Sequence, residues 1–184
     1  MPFSIQPAGL EDVAGLAEVQ VRSWQQAYRG QVPDAYLDSL SVERQAGAWV
    51  RALGEAGVTT LLARDPEGRV IAFINCGPYR DADLGPSRLM EIRALYVHPT
   101  HWRQGLGRAL VDAAIARCAG PGVERAVLWV LRTNASAKAF YRAMGFFPDG
   151  GVKSDTRIGS SVLEEERFSR SLQGAADQPG SIAP

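Results

Sequence analysis

A strand that runs through a tight glycine turn into a helix constrains this chain most, because the open end of that helix must face something. Residues 89–97 form a β-rich segment that His98-Pro99 ends. The run His101-Trp102-Arg103-Gln104-Gly105-Leu106-Gly107-Arg108 comes next, and a helix is expected over 105–119. Leu106, Leu110, Ala113 and Ala114 share one face of it, Arg108 and Asp112 another. First-turn N–H groups lack internal partners, and the helix dipole adds partial positive charge there. Glycines at 105 and 107 leave those N–H groups approachable, and Arg103 and Arg108 add fixed charge. The natural ligand is a diphosphate. Taken alone, the same turn also reads as a plain strand-to-helix connection. Other nucleotide motifs fit poorly: Leu110 stands where a dinucleotide fingerprint wants a third small residue, and no Gly-Lys-Ser/Thr of a P-loop is present.

Around this unit the pattern predicts a strand at 3–5, a helix over 10–28 and further helical stretches after Pro33 and from Ser41. A hairpin is expected from 59–63 and 70–76, joined by Asp65-Pro66-Glu67-Gly68. Residues 126–131 are continuously apolar, as in a sheet interior. Asn134 is placed to cap a helix ending near Met144, with Gly145 as its left-handed stop. A last strand is expected over 162–168. The order argues for an α/β or α+β layer fold in one domain, residues 1–172, with a disordered tail over 173–184.

The chain has 184 residues, 46% hydrophobic and 22% charged, with formal net charge zero. Such balance leaves no electrostatic footprint for nucleic acid or an anionic membrane. No signal peptide or apolar run long enough to span a bilayer is visible, so a cytoplasmic protein is expected. Cys76 and Cys118 each sit in an apolar segment and are expected as reduced, inert thiols, which disfavours an acyl-enzyme route. His98 and His101 lack a carboxylate pattern nearby, and no metal site is expected.

Two segments carry a family resemblance. Residues 95–110, Leu-Tyr-Val-His-Pro-Thr-His-Trp-Arg-Gln-Gly-Leu-Gly-Arg-Ala-Leu, resemble the acetyl-CoA motif of the GNAT N-acetyltransferase superfamily. Residues 134–146, Asn-Ala-Ser-Ala-Lys-Ala-Phe-Tyr-Arg-Ala-Met-Gly-Phe, are similar to that family's N-x-x-A-x-x-F-Y-x-x-x-G-F segment. The resemblance spans residues 3 to about 172 and is sharp over 91–147. It implies a central mixed, mostly antiparallel twisted sheet flanked by helices and splayed between two central parallel strands. It implies acetyl transfer from acetyl-CoA to a primary amine, by direct attack in a ternary complex. Trp102 departs from the family's usual Arg or Gln there, and is expected under the loop or against the cofactor.

The resemblance also assigns roles. Main-chain groups of Leu95, Tyr96 and Val97 would pair with the pantetheine arm, and the Val97 N–H would polarise the thioester carbonyl. Arg103, Gln104, Gly105, Leu106, Gly107 and Arg108 would hold the diphosphate, with Asn134 and Lys138 adding cofactor contacts. Glu91 stands where the family often has its general base; its plainer reading is an exposed strand-end carboxylate paired with Arg93. Tyr141 matches the tyrosine that hydrogen-bonds to the CoA sulfur and protonates the leaving thiolate, although Ala137, Phe140, Tyr141 and Met144 also make a packing stripe.

The acceptor side is less defined. Trp24, Tyr28 and Tyr36 in the N-terminal helical region, and Tyr79 in the Pro/Gly-rich loop 78–86, are candidate pocket walls, with Asp81 and Asp83 placed to attract a cationic amine. Two other readings stay open: a CoA-binding relative without turnover, and a protein using the glycine turn for ATP or NAD. Homodimerisation is common in the family; no feature of this sequence demonstrates it.

Overall fold

The computed structural model describes residues 2–81, 83, 84, 88–155 and 162–172. Seven strands form one sheet: β1 (Ser4–Pro7), β2 (Thr59–Arg64), β3 (Val70–Pro78), β4 (Leu89–Val97), β5 (Arg125–Leu131), β6 (Phe147–Asp155) and β7 (Leu163–Ser171). Their order across the sheet is β1-β2-β3-β4-β5-β7-β6. Every neighbouring pair is antiparallel except β4 and β5, which run parallel. The five α-helices are α1 (Val13–Ala27), α2 (Asp34–Asp38), α3 (Val42–Leu53), α4 (Leu106–Cys118) and α5 (Ala135–Ala143). This is the mixed, mostly antiparallel sheet with flanking helices that the family resemblance implies, within the α/β or α+β layering that the element order argues for. The expected tail over 173–184 lies outside the described residues.

The two faces of the sheet bury different sets, as a period of two demands. On one, Leu61, Ile74, Met90, Ile92, Leu128 and Val130 pack with Leu110 and Val111 of α4 and with Phe146. On the other, Leu62 and Phe73 meet Val13, Leu16 and Ala17 of α1 and Trp49 of α3. Asn134 caps its helix as expected, its Oδ1 accepting from the Ala137 N–H at 2.9 Å, and Ser41 caps α3 as well, its hydroxyl accepting from the Arg44 N–H.

Two irregularities in the sheet lie close to the candidate site. The β3–β4 register shifts between Asn75 and Cys76, so that Arg93 is an extra residue opposite that step. The β6–β7 register shifts between Pro148 and Val152, where Asp149, Gly150 and Gly151 bulge. The sequence pattern misses β6 for this reason, since Pro148-Asp149-Gly150-Gly151 reads as a loop. The bulge makes room: a Cβ on Gly151 would lie 2.8 Å from Cζ of Arg167.

Phe73 is fully buried, with ring centroids 4.8 Å from Trp49 and 5.5 Å from Tyr96. Phe73→Ala removes the ring that joins α3 to the sheet, and the expected loss is about 3–5 kcal/mol, read from the midpoint of urea unfolding.

Candidate active site

The parallel ladder between β4 and β5 runs only from Leu89↔Arg125 to Ile92↔Leu128. Beyond it, β4 stays paired with β3 out to Val97↔Ala72, and β5 with β7 out to Leu131↔Glu165. The two strands therefore part, and a gap opens between the halves of the sheet.

Which main-chain groups face that gap is set by ladder parity. The His98 N–H donates to the Ile71 carbonyl at 2.8 Å. In an antiparallel pair this makes Val97↔Ala72 a non-hydrogen-bonded pair, and Leu95↔Ile74, two residues back, another. The N–H and C=O of Leu95 and Val97 thus point away from β3, into the gap. Their side chains meanwhile pack with the α4 core, so the cofactor and packing readings of these two residues coexist. Tyr96 differs from the expectation. Its main-chain groups turn toward Phe73, and it offers the gap only its side chain.

One of the four outward groups is taken. The Val97 carbonyl accepts from the Ser23 hydroxyl at 2.8 Å and from the Trp102 indole N–H at 2.7 Å. Trp102 thus packs back onto the strand that precedes it, fixing the loop by a side-chain bond that an Arg or Gln would make differently. Leu95 N–H, Leu95 C=O and Val97 N–H have no hydrogen-bond partner among the described residues.

At the mouth of the gap α4 begins without a side-chain cap. Gly105 precedes it at φ +84°, and Arg103 is left-handed too, at φ +63°. The first intrahelical bond is from the Ala109 N–H to the Gly105 carbonyl. The N–H groups of Leu106, Gly107 and Arg108 therefore point out of the helix end. Arg103 and Arg108 are exposed, with no ion-pair partner among the described residues. Gln104 leans back on the Thr100 carbonyl at 3.4 Å. The two glycines do different jobs. Gly105 supplies the left-handed turn in open space, whereas a Cβ on Gly107 would lie 3.2 Å from the Phe140 ring. Gly107 lets α4 and α5 pack closely.

On α5, Tyr141 lies with ring centroids 5.2 Å from Phe140 and 6.0 Å from Phe146. Burial, with a smaller contribution from Tyr28, raises its phenol above the ordinary tyrosine range, so it stays protonated at neutral pH. Tyr28 belongs to α1's side of the sheet, and the two tyrosines sense each other across the gap. Burial and the Glu165 carboxylate push Tyr28 up to about 12, with the Asn134 amide pulling the other way. Lys138 is not available to a phosphate in this geometry: it pairs with Glu166 at 2.7 Å and donates to the Arg132 carbonyl at 2.7 Å.

Three of the four acceptor candidates come together. Trp24 stands edge-on to Tyr28 at 4.9 Å and tilted to Tyr36 at 6.4 Å, against Val32, Leu37, Leu131 and Leu163. The Trp24 indole N–H is buried without a hydrogen bond of ordinary length, with the Tyr96 hydroxyl nearby.

Tyr79 lies elsewhere, in a polar cluster that sequence reasoning misses. Arg167 of β7, only 4% exposed, donates to the Tyr79 hydroxyl at 2.8 Å and to Asp149 at 2.9 Å, pairs with Asp83, and lies 5.5 Å from the Trp129 ring centroid. Lys153 sits 4.2 Å from the same ring centroid, and the Trp129 indole donates to Asp81 at 2.8 Å. Asp81 and Asp83 are thus engaged by the protein's own donors, so they are not bare attractors for an amine. In the sequence Arg167 closes a run of four charged residues from Glu164, and nothing in that run marks it as the buried one.

Glu91 lies between Met90 and Ile92, so it faces the α1 side. It is 1% exposed, not a surface carboxylate, and its partner is Arg80 rather than Arg93. Arg80 Nε donates to Oε2 at 2.9 Å and Nη2 to Oε1 at 2.7 Å. Arg93 instead pairs with Glu55 at 2.7 Å.

A strand edge released from its ladder beside an uncapped helix end is the feature that comparisons with known proteins can decide. The acetyltransferase (GNAT) family model matches residues 15–146. The chain belongs to this family. As such it is an acyl-CoA-dependent acetyltransferase. An uncharacterised N-acetyltransferase (YuaI) of Bacillus subtilis is 30% identical over 162 residues, covering 88% of this chain and 89% of its own. A mycothiol acetyltransferase of Segniliparus rotundus is 35% identical over 106 residues, but the match spans 37% of that protein. The fold is shared with an N-acetyltransferase of Thermoplasma acidophilum solved with coenzyme A, with TM-score 0.69 and 23% identity over 93% of this chain and 99% of the other. It is also shared with an acetyltransferase of Salmonella typhimurium solved with acetyl-CoA, with TM-score 0.69 and 20% identity over 97% and 99% of the two chains.

The different roles of the glycines give a test. Gly105→Ala carries the left-handed penalty of about 1–2 kcal/mol whatever its surroundings. Gly107→Ala brings a Cβ to 3.2 Å from the Phe140 ring, so its effect on stability should couple to Phe140→Leu in the same chain, whereas that of Gly105→Ala should not. A double-mutant cycle by chemical unfolding measures both couplings.

Proposed function

We propose that this acetyltransferase takes its acetyl group from acetyl-CoA and passes it to a primary amine while both are bound. The observation that carries this reading is the adjacency of the unpaired inner edge of β4 to the open N-terminus of α4. Leu95 N–H and C=O and Val97 N–H match the amide groups of an extended pantetheine arm. The α4 N–H groups, with Arg103 and Arg108, match a diphosphate at the far end of that arm. Asn134 serves as a helix cap and, through its amide, as a further contact. Lys138 acts indirectly, holding α5 to β7 through Glu166.

The protein's part in the chemistry is to hold and move protons. A lysine-like amine has a pKa of about 10.4 and arrives charged. Glu91 is the proposed acceptor of its proton, through water, since the carboxylate is buried and gripped by Arg80. Tyr141 is the proposed donor to the departing sulfur, and its raised pKa keeps the proton in place until that charge develops. The Val97 N–H polarises the thioester carbonyl. Trp24, Tyr28 and Tyr36 wall the acceptor side.

The Arg80 clamp favours one competing reading, a CoA-binding relative without turnover, because both Glu91 oxygens are occupied. Thiol release from acetyl-CoA across a panel of amines, peptides and aminoglycosides separates the two: sustained release with one acceptor class supports catalysis, and none supports the binder. A thermal midpoint raised by acetyl-CoA and not by NAD or ATP is expected in either case, and its absence removes both.

Tyr141→Phe preserves the ring packing and is expected to lower kcat by roughly 10²–10⁴-fold with little change in acetyl-CoA affinity. Wild-type rates should show no decline from Tyr141 ionisation up to about pH 10, the ordinary tyrosine value. Glu91→Gln keeps the side chain's shape and removes its ability to take a proton, and kcat/KM is expected to fall by roughly 10²–10⁴-fold. An unchanged kcat/KM in steady-state assays would detach Glu91 from the proton transfer.

A further inference from the structure

Cys76 on β3 and Cys118 at the end of α4 are 42 residues apart in sequence, yet their sulfurs stand 2.9 Å from each other. The sequence alone suggests two separate inert thiols. Cys76 is fully buried, and its sulfur lies 3.6 Å from the Thr59 carbonyl. Cys118 is partly exposed beyond it. The pair is thus arranged in depth, one sulfur reachable from solvent and the other directly behind. We propose that Cys76 and Cys118 form a thiol oxidation site that takes hydroperoxides, with Cys118 the attacking sulfur and Cys76 the resolving one.

The surroundings assign these roles. Either sulfur can donate in the contact between them; that contact lowers the pKa of Cys118 against the opposing effect of burial, with Thr59 and Arg117 acting in the same direction as the contact. The same contact, reinforced by burial, raises Cys76 and leaves it the protonated partner. The Cys118 thiolate attacks one peroxide oxygen, the O–O bond breaks, and the departing hydroxide takes a proton to become water. Cys118 is then a sulfenic acid. The Cys76 sulfur next attacks the Cys118 sulfur; the S–O bond breaks, and the hydroxyl leaves as water with the Cys76 proton. Two thiols have lost two electrons, the hydroperoxide has gained them, and an S–S bond joins the end of α4 to β3.

The site owes nothing to the acetyl-transfer chemistry, so it is tested separately from it. The full-length reduced protein is treated with about one equivalent of hydrogen peroxide at neutral pH, then examined by intact mass, thiol titration after denaturation and peptide mapping. Both thiols should disappear together, the monomer mass should fall by about 2 Da, and a dithiol reductant should reverse the change. Cys76→Ser should stop at a Cys118 sulfenic acid that a dimedone-type reagent traps. Cys118→Ser should leave Cys76 reduced, reacting at least about tenfold more slowly than wild-type Cys118. Wild-type oxidation that yields only sulfinic or sulfonic acids, or only disulfides between chains, overturns the proposal. So does equal reactivity of the two single variants. The wild-type mass and mapping decide the matter if either variant fails to fold.

Discussion

The site depends on one constraint: β4 and β5 cannot be each other's partner along their whole length. Their ladder ends at Ile92↔Leu128, while each strand remains held on its outer side by an antiparallel neighbour. Buried main-chain groups require partners. Leaving Leu95 and Val97 without a strand beside them is therefore tolerable only where something else supplies the hydrogen bonds. The protein supplies part itself, through Ser23 and Trp102 on the Val97 carbonyl, and leaves the rest for a bound chain of similar character. The same separation lets Tyr28 on one face of the sheet and Tyr141 on the other reach a common space.

The two sides of the gap are built by different means. On the α4 side many of the proposed contacts are backbone amides, fixed by helix geometry and indifferent to most side-chain changes. On the α1 side they are side chains held by one another: the edge-on Trp24 and Tyr28, the Arg80–Glu91 pair, and Arg167 with its three oxygen partners. A rigid donor half and a side-chain-built opposite half allow one to vary while the other stays constant.

That difference also explains what the sequence discloses. β4, α4, β5 and α5 are legible because each combines a clear period with a punctuating residue: His98-Pro99, Gly105, Gly120-Pro121 and Gly145. The proposed diphosphate cradle is legible because its residues, His101 to Arg108, are consecutive. Partners contributed by distant strands are not. Nothing local ties Arg80 to Glu91, Arg167 to Asp83, or Cys76 to Cys118; each contact exists only after the sheet is assembled. β6 is hidden by its bulge, whose glycines serve Arg167 and not a turn. The orientation of Tyr96 depends on ladder parity, which the residues of β4 alone do not encode. Trp102 looks like a departure from pattern because its partner is the carbonyl of the strand before it.

The doubly engaged Val97 carbonyl has a consequence for register. An extended amide chain laid along β4 presents donors and acceptors in strict alternation, so slipping it by one donor–acceptor pair keeps each group facing its own kind of partner two residues along. At the end of this strand such a slip would bring a donor to an oxygen that already accepts two hydrogen bonds, at 2.8 and 2.7 Å. The strand therefore carries its own end stop. A chain bound as proposed would come to rest where Ser23 and Trp102, touching no ligand themselves, close off the Val97 carbonyl.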